Sequence, residues 1–105
     1  MEKEIMLIKH ASDLLAKDTM DVGIYGKQTT AFKKNEAKKQ VAKQMKKNAE
    51  AIGKLIFEDR NVYLEKSKHH QNDLLNKFTK TLISDLDVES YKLIKGRIGH
   101  FLNNL

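Results

Sequence analysis

Residues Phe32–Lys68, FKKNEAKKQVAKQMKKNAEAIGKLIFEDRNVYLEKSK, decide the fold of this chain. The chain has no proline, and Gly53 is the only glycine in the stretch, so very little in it interrupts a helix. We therefore predict one long helix over about 32–68, roughly 50 Å long at about 1.5 Å per residue. Apolar residues recur in it mostly every three or four positions, which places them on one helix face: Ala37, Val41, Met45, Ala49, Ile52, Ile56 and Tyr63.

The apolar face of this helix changes character along its length. Between Ala37 and Ala49 its side chains are mostly small, whereas from Ile52 onward they are bulkier and can bury more area. The second half is therefore expected to anchor the core. The first half is a candidate seam for a second copy or a partner, formed by Val41, Met45 and Ala49. We interpret Gly53 as the site of a close helix crossing or a slight bend.

Three shorter helices complete the predicted fold. The first spans about 2–17, and turn residues predict a loop over 18–28. The helix after the long one spans about 73–83, following a break near 69–72 with Asn72 as its N-cap; a continuous solvated helix through 65–73 is the alternative. The last helix follows the cap residue Asp87. The sequence thus predicts an all-α fold: a small helical bundle of about four helices built on one long central helix, with 1–105 forming a single helical domain.

Composition narrows the classes of function. The chain has no cysteine, and therefore no disulfide, thiolate metal site or cysteine nucleophile, which suits a reducing cytoplasm. The aliphatic run Ile5–Ile8 is too short for a signal-peptide core or a membrane span. Eighteen lysines occur against two arginines, with many Asn and Ile, which favours the AT-rich genome of a low-GC bacterium, phage or plasmid.

The positive charge of the chain is local. The net charge is +6, yet residues 27–54 alone carry nine lysines and two glutamates, a net of +7. On a helix, one group of these lysines falls opposite the apolar face, where it could meet the phosphates of a duplex. We call this group the lysine face: Lys39, Lys43, Lys46, Lys47 and Lys54.

Other interpretations of the lysine face remain open. Any amphipathic helix has a polar face, and Glu50 is placed to pair with Lys46 and Lys54 on the same helix. The same lysines could dock an acidic protein. The face contains no arginine, the usual reader of bases, so contact with the nucleic-acid backbone is expected rather than sequence readout. A membrane surface is disfavoured because Trp and Phe are not grouped on the opposite face.

The remaining polar groups predict no catalytic or metal site. His69 and Asp73 have the spacing of two metal ligands, which is too few for a site. Acidic residues at 85, 87 and 89 are typical of a helix N-terminus. No nucleophile motif or phosphate-binding glycine loop is present, so we expect neither an enzyme nor a cofactor.

These observations predict a small, non-enzymatic binding protein of the cytoplasm. The first hypothesis is a nucleic-acid-associated accessory or regulatory protein that uses the lysine face to contact DNA or RNA. The alternative is a protein–protein interaction module, such as an inhibitor, immunity-type protein or adaptor, that docks an acidic partner. A homodimer formed through the seam is a third possibility.

Overall fold

The computed structural model describes residues 1–18 and 30–104, and this part of the chain is helical without any strand. The predicted all-α fold is therefore confirmed, with five helices instead of about four. The loop predicted over 18–28 lies, beyond Asp18, outside the described residues. None of the described helices combines the length and the apolar character needed to cross a membrane. The helices are α1 (Glu2–Lys17), α2 (Thr30–Lys47), α3 (Ala49–Leu64), α4 (Lys68–Leu82) and α5 (Val88–Asn104).

The predicted long helix is wrong at Asn48, where α2 gives way to α3. Asn48 has φ −105° and ψ 20°, outside the helical range. Its side-chain amide donates to the carbonyl of Gln44 at 2.9 Å, a local bond by which asparagine competes with the helical backbone. Backbone bonds from Asn48 N–H to Gln44 and from Ile52 N–H to Asn48, both 3.0 Å, are kept. The break is therefore a local distortion, and α2 and α3 together are called the spine.

The spine also ends earlier than predicted, at Leu64 instead of Lys68. The helix α4 begins at Lys68, and Ser67 is its N-cap, accepting a bond from the backbone N–H of His70 at 3.4 Å. The break predicted near 69–72 and the N-cap predicted at Asn72 are therefore wrong. The Ser67 hydroxyl accepts a hydrogen bond from a backbone N–H group that has no partner within the helix. This cap lets α4 begin in a polar segment, although the first turn of α4 buries no apolar side chain.

The helix α1 lies antiparallel along the spine and contacts both of its parts. Near one end of α1, the ammonium of Lys46 lies 3.1 Å from the carboxylate of Asp13. Near the other end, a Cβ placed on Gly53 would lie only 2.8 Å from Cγ1 of Ile5. Gly53 is therefore a close crossing, which is one of the two interpretations that the sequence favoured.

The helix α5 lies on another side of the spine and runs parallel to it. The hydroxyl of Ser90 donates to the side chain of Gln40 at 3.0 Å, and the Arg60 Nε–H donates to the carbonyl of Leu102 at 2.9 Å. The helix α4 packs against α5 and α3. The two flanking helices α1 and α5 do not approach each other closely, so each is held chiefly by the spine.

The core lies where the spine meets α1 and α5. The predicted seam residues Val41, Met45 and Ala49 have relative exposures of 0, 1 and 1% and belong to this core. Helices of the same chain therefore cover them, and they offer no surface to a second copy or a partner. The other buried apolar side chains of the cluster are Ile8, Leu15, Ala42, Ile52, Leu55, Ile56, Tyr63, Ile83, Ile94, Ile98, Phe101 and Leu102.

Candidate polyanion-binding face

The helix α2 concentrates the positive charge of the described chain. Its eighteen residues include seven lysines and one glutamate, a net charge of +6. Because Val41 and Met45 turn toward the core, the helical period sends the lysines at 39, 43 and 47 to the opposite side. All five lysines of the lysine face are solvent-exposed, four of them on α2 and Lys54 on α3.

A groove between α1 and α2 brings three of the predicted site lysines together. It has a volume of about 190 Å³. Its lining includes the small buried residues Ser12 and Ala42, and the hydroxyl of Ser12 is already bonded to the carbonyl of Ile8 at 2.7 Å. The charged groups at its rim can therefore meet a ligand without a bulky side chain beneath them. The groove is lined by Ser12, Asp13, Ala16, Lys39, Ala42, Lys43 and Lys46.

Two of the five lysines already pair with carboxylates. Lys46 lies 3.1 Å from Asp13 of α1, and Lys39 lies 3.7 Å from Glu36 on its own helix. All four of these side chains are more than half exposed, so each pair contributes little to stability and a phosphate can compete for it.

The other three lysines of the face form no ion pair with any described residue. They are Lys43, Lys47 and Lys54. Lys43 lies at the rim of the groove, and Lys47 follows it one helical turn later, about 6 Å further along α2. Lys54 lies beyond the distortion at Asn48, about 10 Å of helix rise from Lys47. The free charges thus form a row along the spine that begins at the groove.

Sequence reasoning missed the contribution of α1 to this face. It assigned Glu50 as the partner of Lys46 and Lys54, because residues four apart on one helix are neighbours. Within the described residues Glu50 forms no ion pair with Lys46 or Lys54. Lys46 pairs instead with Asp13, which is 33 positions away in the sequence. The small residues Ser12 and Ala16 on α1 are the signal that a second helix could approach α2 here.

A similar ion pair closes the other end of the contact between α1 and α2. The ammonium of Lys38 lies 3.2 Å from the carboxylate of Asp18. Lys38 was not assigned to the lysine face, and it is only partly exposed, with 23% of its side chain accessible. The two pairs together show that this side of α2 accepts carboxylates from another helix.

The histidine and acidic residues considered as metal or catalytic candidates make only local contacts in the described structure. His69 Nε2 lies 3.7 Å from Asp73 on an exposed surface, and no group of three or more potential metal ligands occurs in residues 1–18 and 30–104. Asp87 caps α5, since its carboxylate accepts the backbone N–H of Ser90 at 2.7 Å. That bond lowers the pKa of Asp87, because it stabilises the ionised form.

Comparison with known proteins supplies no relative for this chain. No protein-family model matches it, and neither the curated proteins nor the solved structures searched include a significant match.

Proposed function

We propose that this chain is a nucleic-acid-associated accessory or regulatory protein of a low-GC bacterium, phage or plasmid, and that its lysine face contacts the phosphate backbone. The observation that carries the proposal is a row of three ammonium groups, Lys43, Lys47 and Lys54, that form no ion pair within residues 1–18 and 30–104 and that lie along the spine from a shallow groove. A row of exposed cations along one side of the spine is suited to a linear array of phosphates.

The chemistry of the face favours backbone contact over base recognition. Lysine presents a point charge to a phosphate, whereas specific reading of guanine usually requires the fork of an arginine. The two arginines of the chain, Arg60 and Arg97, are outside the lysine face, and both are partly buried. Single strands are usually held by stacked aromatic side chains, and no described residue that lines the groove is aromatic. The preferred ligand is therefore a duplex, without regard to sequence.

The paired and unpaired lysines set the expected salt dependence. Each neutralised phosphate contributes about −0.9 to the slope of log affinity against log salt concentration. Three free lysines therefore predict a slope of about −2.7. If a phosphate also displaces the carboxylates from Lys39 and Lys46, the slope reaches about −4.5.

The test is a titration of mixed-sequence duplex DNA and duplex RNA by fluorescence anisotropy, at several salt concentrations between about 50 and 200 mM. In the double variant Lys43→Gln/Lys47→Gln the slope of log affinity against log salt concentration is expected to be shallower by about 1.8, because two phosphate contacts are removed. The matched control is Lys9→Gln/Lys80→Gln, which removes the same charge from exposed positions on α1 and α4. No binding of either duplex at the lowest salt, or equal losses in both variants, would refute the proposal.

The alternative partner is an acidic protein segment. It is favoured by one observation: the carboxylates of Asp13 and Asp18 already meet Lys46 and Lys38 across the contact of α1 with α2. A second acidic helix beside the row of free lysines would use the same chemistry. In that case a duplex fails to bind at low salt, while an acidic model helix binds and is released by the Lys43→Gln/Lys47→Gln substitution.

A further inference from the structure

The outer side of α5 contains a glycine that the fold does not require. Gly96 lies in the middle of α5 and is exposed, and a Cβ placed on it would meet no atom within 4 Å. Glycine is a poor helix former, so its presence at an open position carries a cost without a packing reason. Gly99 differs, because a Cβ there would lie 3.2 Å from the side chain of Leu75.

A depression of about 470 Å³ surrounds Gly96. Among the described residues its lining is cationic and neutral and includes no carboxylate. Lys92 and Lys95 precede the missing side chain by four residues and one residue in the lining, and neither forms an ion pair with any residue in the described ranges. We call this surface the α5 face; it is lined by Leu75, Lys92, Lys95, Gly96, Gly99, His100 and Asn103.

The α5 face is separate from the lysine face. Ile94, Ile98 and Phe101 turn toward the core, so Lys92 and Gly96 lie on the side of α5 that points away from it. The lysine face belongs to the spine and to its groove with α1, and α1 and α5 do not approach each other closely. The two cationic surfaces share no lining residue.

The α5 face continues toward the spine at one end. Lys92 also lines a second groove, of about 290 Å³, together with Lys34 and Lys38 of α2. One carboxylate, that of Glu89, lines this second groove. From Lys92 to Asn103 the helix rises roughly 17 Å, about the axial length of five base pairs at 3.4 Å each. A phosphate strand along α5 therefore meets two lysines of this helix, Lys92 and Lys95, and Lys34 of α2 lies beyond them at the spine end.

We infer that the α5 face is a second contact for a phosphate backbone, so that one copy of the chain bridges two duplex segments. The inference rests on the proposed function, since the lysine face holds the first duplex. The absent side chain at Gly96 lets a phosphate approach the helix surface closely, while Lys92 and Lys95 neutralise its charge. A phosphate backbone complements this surface in charge, because the described lining offers cations and an amide and no acid.

The test is a bridging assay with the full chain. One duplex is fixed to beads, and retention of a second, fluorescently labelled duplex is measured as protein is added at about 0.1 M salt. Wild type is expected to retain the labelled duplex. The double variant Lys92→Gln/Lys95→Gln is expected to lose retention by on the order of tenfold or more, because two phosphate contacts are removed. Gly96→Glu, which places a carboxylate in the depression, is expected to do the same.

Controls separate this inference from the proposed function and from self-association. Lys9→Gln/Lys80→Gln removes the same charge elsewhere and should retain the labelled duplex, and circular dichroism should show that every variant is folded. If Lys92→Gln/Lys95→Gln retains as much labelled duplex as wild type does, the inference is overturned. It is also overturned if wild type binds one duplex but does not bridge two. If wild type binds no duplex at all, the proposed function fails first. Light scattering that shows a dimer, with bridging lost only in Lys43→Gln/Lys47→Gln, assigns bridging to two copies and overturns the inference.

Discussion

Two glycines in the middle of helices should respond in opposite ways to the same substitution. Alanine in place of glycine stabilises a helix by about 1 kcal/mol when the new methyl group has room. At Gly96 the methyl group would meet nothing within 4 Å, so Gly96→Ala is expected to raise the free energy of unfolding by about that amount. At Gly53 it would lie 2.8 Å from Ile5 Cγ1 and 3.2 Å from the backbone nitrogen of Ile5.

The clash at Gly53 should outweigh the gain in helix propensity. The atoms in the way are the first branch of a side chain and the backbone of α1, so relief requires α1 to move away from the spine. Overpacking of this kind costs about 1–3 kcal/mol, and we expect the upper part of that range. After the gain of about 1 kcal/mol, Gly53→Ala should be less stable than wild type by about 1–2 kcal/mol.

The measurement is thermal and urea unfolding of the three proteins, followed by circular dichroism. A change of 1 kcal/mol moves the midpoint of a domain near this size by roughly 4–8 °C. Gly96→Ala should therefore melt several degrees above wild type, and Gly53→Ala several degrees below it. Equal stabilisation by both substitutions would show that α1 does not lie this close to α3, and the packing of α1 described above would be refuted.

Three further predictions follow from single side chains. Met45 is 1% exposed, so Met45→Ala should destabilise the fold by about 2–5 kcal/mol without changing the molecular mass measured by light scattering. Asp13→Asn should leave stability within about 1 kcal/mol, because the pair with Lys46 is exposed, yet it should tighten duplex binding by freeing that lysine. The pKa of Asp87 is lower in the folded state than in the unfolded state, where it is about 3.9. The ionised cap therefore stabilises the fold fully above the unfolded pKa, and this stabilisation is lost as the pH falls through the folded pKa. The difference in urea midpoint between wild type and Asp87→Ala should therefore shrink as the pH falls below the unfolded pKa, and a difference that stays constant in acid would contradict the cap.

Much of the secondary structure could be predicted from short stretches of the sequence. The first helix was predicted over 2–17, and α1 spans Glu2–Lys17. The cap at Asp87 was predicted from its position before a periodic apolar run, and its carboxylate does accept the N–H of Ser90. These features depend on residues within one or two turns of each other, and the forces that set them are visible in a short window of sequence.

The breaks in the long helix were harder to predict. Asparagine is only slightly worse than its neighbours as a helix former, so Asn48 gave no clear signal in a strongly helical context. Its distortion keeps the backbone bonds on both sides and adds a side-chain bond to Gln44. The early start of α4 at Ser67 is a similar case, since a cap can begin a helix before any apolar residue marks its face.

The sequence by itself determined that this chain is helical, where its positive charge is concentrated, and which face of the spine is apolar. Tertiary structure alone decided that packing of other helices on the spine buries Val41, Met45 and Ala49, so the apolar face became core instead of a seam. It also decided which lysines are free, because Asp13 reaches Lys46 only when α1 lies against α2. The physical reason is that helical periodicity fixes the direction in which a side chain points, while the atoms that meet it come from distant parts of the chain.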